Sequence, residues 1–134
     1  MTQPIAHSTQ APNIDERKGQ VALKAFFNIT AEWGCTQADR QKLLGDIARS
    51  TLNNYAKLPA LRLNRDQLER ISYIMGIYKA LQILYPSKSL AARWIKAPNT
   101  ALPFNGSTAL AFMTRGSMMH LAETRRYLDA ARGW

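Results

Sequence analysis

From residue 15 onwards apolar residues recur at helical spacing, and no segment alternates convincingly at period two. Val21, Ala25, Phe26 and Ile29 share one face of a first predicted helix that begins near Asp15. It closes at "WGC", where Gly34 is a natural stop because a left-handed residue costs glycine little. Thr36 has Asp39 three residues on, the spacing of an N-terminal capping box. The helix it opens presents Leu43 and Leu44 to a core and halts at Gly45. A long helix is predicted from Arg65 to Tyr85, opened by Asn64 with Gln67 and ended by Pro86. Its stripe is Leu68, Ile71, Met75, Tyr78 and Leu81, broadened by Ile74, Ile77 and Leu84, which suits a helix at the centre of the core. Shorter helical patterns follow over Ser87–Ile95, Ser107–Thr114 and Ser117–Arg132. "KAPNTALPFNG" between the first two reads as a Pro/Asn/Gly loop. The fold class is all-α.

The stretch "LLGDIARSTLNNYAK" carries the first functional signal. A helix-turn-helix needs a first helix that ends sharply and a second that is packed on one side and polar on the other. Gly45 supplies the stop. Ile47, Thr51, Leu52 and Tyr55 make the packed side, and Ser50 is placed to cap the first turn. Arg49, Ser50, Asn53, Asn54 and Lys57 then point outward. Arginine clasps guanine bidentately, asparagine clasps adenine, and serine or lysine holds phosphate. Arg40 and Lys42 on the preceding helix, with Arg62 and Arg65 beyond, flank the site for backbone contacts. One feature departs from the commonest pattern: Asp46 follows the glycine where an apolar residue often sits, and Ile47 takes that core slot. A polar surface on an ordinary helical core would show the same residues.

Charge tilts that balance. Lys and Arg number 18 against 9 Asp and Glu, a net +9 in 134 residues, which favours a polyanionic partner and double-stranded DNA first. Apolar content of 46% is enough for a packed core. Residues 1–13, rich in Thr, Gln, Pro, Ser and Ala, read as a flexible tail. They lack the basic and apolar regions of a secretory signal, and no apolar run reaches membrane-spanning length, so a cytoplasmic protein is expected. Residues 14–85 form the helix-turn-helix domain and residues 86–134 a second small helical domain.

Catalytic chemistry is not visible. His7 falls in the tail, His120 stands alone in a helical stretch, and Cys35 has no histidine near it in sequence. Metal-ligand spacing of Cys and His pairs is absent, as is a glycine-rich phosphate loop after a strand. Neither an enzyme nor a bound cofactor or metal is expected.

The second half adds a more specific pattern: Trp94, Pro98-Asn99, Phe104-Asn105-Gly106, Gly116 and Tyr127-Leu128, in that order after "QLERISYIMGIYKALQILYP". With these motifs the chain from about Trp33 to Gly133 resembles the Xre/MbcA/ParS-like antitoxins, which join an Xre-type helix-turn-helix to a C-terminal toxin-binding domain. The resemblance implies a cognate RES-domain toxin that depletes NAD, occlusion of that toxin, and repression of the antitoxin's own operon as a homodimer or larger complex. Such antitoxins place their extreme C-terminal segment at the toxin's active-site cleft. Here that segment is "RRYLDAARGW", which makes Arg125, Arg126, Arg132 and Trp134 the candidate toxin contacts. Thr108 stands in the "GSTAL" run where the family usually has a proline after "FNG". Duller readings exist: Trp94 and Phe104 suit a core, and Arg125 and Arg126 suit a solvated helix end. The alternative function is a stand-alone helix-turn-helix regulator whose C-terminal helices only dimerise it.

Overall fold

A computed structural model describes residues 10–133. It contains seven helices and no strand among the described residues: α1 (Ile14–Glu32), α2 (Gln37–Leu43), α3 (Arg49–Tyr55), α4 (Arg65–Leu84), α5 (Lys88–Lys96), α6 (Ala109–Met113) and α7 (Met118–Ala131). The all-α expectation holds. Residues 1–9 of the expected tail, and Trp134, lie outside the described residues.

Helix starts follow side-chain chemistry closely. Thr36 accepts from the Asp39 amide at 3.0 Å while the Thr36 amide donates to Asp39 Oδ2 at 2.9 Å. Asn64 and Gln67 make the same reciprocal pair at the head of α4. A third box, between Asn13 and Glu16, starts α1 one residue before the expected Asp15 and ties down the last residue assigned to the tail. Ser87, Thr108 and Ser117 cap α5, α6 and α7.

α4 is the central element, packed against α1, α7 and α5. It buries Ile71, Ile74, Ile77, Ala80 and Leu81 against Leu23 and Phe26 of α1 and Leu121 and Leu128 of α7. Two apolar positions of the sequence reading turn outward. Val21 is 66% exposed and Met75 44% exposed, because Leu23 and Ile74 hold the core side of their helices. Leu23 is two residues, about 200°, from Val21, so both cannot face inward. Tyr78 is half-buried and donates its hydroxyl hydrogen to Glu32.

Arg70 is the unusual member of α4. It is 8% exposed, donates Nε to Asp66 Oδ2 at 2.8 Å and Nη2 to the Gly116 carbonyl at 3.0 Å, and lies against Gly45. One guanidinium therefore touches the turn before α3 and the turn before α7. A second, smaller apolar cluster sits under the α5–α6 loop, where Phe104, 1% exposed, meets Trp94, Phe112 and Tyr127. The sequence expectation that Phe104 plugs this loop is met.

Two glycines admit close neighbours of opposite kinds. A Cβ on Gly19 would run into the Leu61 carbonyl, whereas one on Gly76 would meet only the guanidinium of Arg125. Alanine gains about 1 kcal/mol over glycine within a helix. Gly19→Ala is expected to destabilise the fold by about 1–3 kcal/mol despite that gain, because backbone cannot yield cheaply. Gly76→Ala is expected to be neutral or stabilising within about 1 kcal/mol, since a half-exposed arginine tip can swing aside. Urea midpoints of the two variants decide the comparison.

Candidate functional site

The turn between α2 and α3 is built from one side chain and two left-handed residues. Gly45 has φ 93° and Asp46 φ 64°, the latter a strained value for a residue with a Cβ. The carbonyl of Gln41 accepts the amides of Asp46 at 2.8 Å and Ile47 at 3.2 Å. Its side-chain Nε2 donates to the Ile47 carbonyl at 3.0 Å. Gln41 thus clamps the turn from both ends, a role the sequence reading missed because a glutamine on a short helix carries no distinctive pattern.

α3 buries Leu52 completely and half-buries Thr51 and Tyr55, whose hydroxyl accepts from Gln67 at 3.0 Å. Arg49, Ser50, Asn53, Asn54 and Lys57 are all exposed. None of these five side chains makes a hydrogen bond or ion pair with another described residue. Lys42 is exposed beside them. Ser50 differs from expectation in one respect: Ala48 is the N-cap of α3 and no side chain caps it, because the helix starts at Arg49, two residues before the Thr51 start that a Ser50 cap implies. Arg40 differs more. Its Nε donates to Thr30 Oγ1 at 2.8 Å and its guanidinium lies over the Phe27 ring at 5.3 Å, so it fastens α2 to α1.

The C-terminal candidates separate in the same way. Arg125 crosses α4 at Gly76 and pairs with Asp129 at 3.1 Å. Arg132, with 9% of its side chain exposed, approaches the same carboxylate at 3.5 Å. Arg126 is exposed and borders a shallow hollow with Glu123 and Ala130 of α7 and with Leu102. Leu102 is 78% exposed on the loop before α6. Its exposure was not foreseen, since an apolar residue beside a proline reads as loop packing. Tyr127 stacks on Trp94 at 6.0 Å and Leu128 is 1% exposed.

Among the described residues no group of three or more His, Cys, Asp or Glu side chains can hold a metal, and no helix is long and apolar enough to cross a membrane. Desolvation raises the Cys35 thiol from 9.0 to about 12, aided by Asp39 and opposed by Arg40 and Lys96. Burial, and then the carboxylate of Glu32, holds the Tyr78 phenol above its ordinary range.

Residues 13–76 match the Antitoxin Xre-like helix-turn-helix domain, and residues 80–133 match the Antitoxin Xre/MbcA/ParS C-terminal toxin-binding domain. The chain belongs to the Xre/MbcA/ParS antitoxin family. A protein of Sinorhizobium fredii (strain NBRC 101917 / NGR234), named Uncharacterized protein y4oB, is 38% identical over 133 residues, covering 99% of each chain. The two matched segments meet within α4, so the helix-turn-helix and the toxin-binding domain of this antitoxin share their central helix. It is an antitoxin of a toxin–antitoxin system, and its C-terminal domain is the toxin-binding part.

The buried thiol gives a check on this geometry. With its pKa near 12, Cys35 of the folded antitoxin is expected to react with a disulfide reagent at pH 8 about a thousandfold more slowly than in the unfolded chain. Because the folded value lies above the unfolded one, the thiol's contribution to stability is complete below pH 9 and declines as pH rises towards 12. Thiol titration in buffer and in guanidinium measures the ratio.

Proposed function

We propose that this antitoxin binds and occludes a RES-type, NAD-depleting toxin and represses its own operon by inserting α3 into the major groove of operator DNA. The observation that carries the DNA half is the set of unpartnered cations and amides on the outer side of α3, opposite a fully buried Leu52. Asn53 and Asn54 are placed to read adenine edges and Arg49 a guanine, with Lys42, Ser50 and Lys57 on phosphates. Arg40 positions α2 rather than touching DNA. From Thr36 to Arg65 the segment holds six cations against two carboxylates, which draws it towards a polyanion. A helix of seven residues reads few base pairs, so the antitoxin acts as a homodimer or within a larger complex on a two-fold site.

The toxin half rests on the matched toxin-binding domain, with the RES identity supported by the C-terminal motif pattern. Of the four candidates, Arg126 is the one whose side chain is exposed among the described residues without an internal pair. Leu102 beside it supplies apolar area for the same contact. Arg125 and Arg132 pair with Asp129 along the last turns of α7, and Arg125 also lies against Gly76 of α4. Occlusion is stoichiometric binding, so the antitoxin itself acts on no substrate, and both activities place it in the cytoplasm.

Ala substitutions at Arg49, Asn53 and Asn54 are each expected to cost about 1–3 kcal/mol of operator affinity and to relax preference at one base position, measured by anisotropy on a duplex from upstream of the gene. For the toxin, co-expression with the product of the adjacent reading frame in a growth assay is decisive. Leu102→Asp with Arg126→Glu is expected to abolish rescue while leaving DNA affinity unchanged. A stand-alone regulator would show no toxic neighbour to rescue. Removing residues from Tyr127 onward would be a poor test, since Tyr127 and Leu128 are part of the packing.

A further inference from the structure

We infer that Lys18, Arg62 and Arg65 form a phosphate-holding cleft beside α3, outside the helix-turn-helix itself, with Asp15 as an internal competitor that weakens it. The inference rests on the DNA-binding reading above. The cleft, about 480 Å³, lies between the first turns of α1 and the connection from α3 to α4, and these four side chains line it. Lys18, Arg62 and Arg65 are all exposed. The elements that carry them are fixed to one another. Gln20 donates to the Leu58 carbonyl at 2.8 Å, Gly19 lies against Leu61, and Leu63 is 3% exposed. The Gln67–Tyr55 hydrogen bond ties the head of α4 to the last residue of α3. The head of α4, which carries Arg65 of the cleft, is therefore fastened to the C-terminal end of the proposed recognition helix.

Three cations and one carboxylate at one concavity leave a local surplus of positive charge. Arg62 approaches Asp15 at only 3.9 Å, with 77% and 47% of their side chains exposed. Such a pair is weak in water and yields to a phosphate, which an arginine holds bidentately. None of the three cations is buried, so a small ligand would be held without desolvation. A strand backbone passing over solvent-facing cations fits better. Contacts of this kind carry no base preference and add equally to every sequence.

The test is anisotropy of full-length protein on a labelled duplex from upstream of its own gene and on a scrambled duplex, from about 50 to about 300 mM KCl. Lys18→Gln, Arg62→Gln and Arg65→Gln are each expected to reduce the slope of log affinity against log salt by about 0.9 per bound protomer on both duplexes, and the triple variant by about 2.7 per bound protomer. Asp15→Asn is expected to tighten binding to both several-fold. Lys88→Gln removes the same charge beyond the far end of α4, about 30 Å away, and is expected to leave the slope unchanged. A triple variant with the wild-type slope, an equal loss in Lys88→Gln, or weaker binding in Asp15→Asn overturns the cleft while the reading of α3 stands. Wild-type protein that binds neither duplex at any salt overturns both.

Discussion

Arg70 lies where three parts of the chain must agree. Its guanidinium meets Asp66 one turn back on α4, the Gly116 carbonyl at the entry to α7, and the Gly45 turn before α3. A buried cation with only one partially exposed carboxylate is costly unless its remaining hydrogens are taken up, and the Gly116 carbonyl takes one. Gly45 must be small and left-handed to leave that space, with φ 93°. The same position ends α2 and sets the direction of α3. From the helix that the two domains share, Arg70 thus packs against the turn that Gln41 holds and hydrogen-bonds the entry to α7.

That arrangement explains why net charge alone does not locate a site. Arg40 and Arg70 join elements through Thr30 and the Gly116 carbonyl, while Arg125 and Arg132 are paired with Asp129 along α7. Arg49, Lys57 and Arg126 stand in solvent without an internal partner among the described residues. The first group fixes where the second points. The proposed DNA side and the proposed toxin side are joined through α4, and only residues 77–79, within that helix, lie between the matched segments.

Much of this was legible in the residues. Capping boxes at Thr36 and Asn64, the stop at Gly45 and the plug at Phe104 follow from local chemistry, and each has the expected geometry. Met75 misled because α4, packed against three helices, leaves more than one apolar stripe to choose from, and Val21 because Leu23 takes the core side of α1 instead. The exposed side of α3 was readable from its spacing, whereas the inward turn of Arg40 was not, since it depends on Thr30 and Phe27 ten and thirteen residues away. Gln41, Arg70 and Leu102 lacked any sequence signal of their own. Their roles arise from turns and neighbours that exist only once the helices have assembled.

On this reading one chain engages DNA and a toxin with separate surfaces. Native mass spectrometry of the antitoxin mixed with the product of the adjacent reading frame and a duplex from upstream of the gene tests it most directly. One assembly containing all three components, with an even number of antitoxin chains, is expected. An antitoxin that fails to bind either the neighbouring protein or the duplex, or that binds them only in separate complexes, contradicts it.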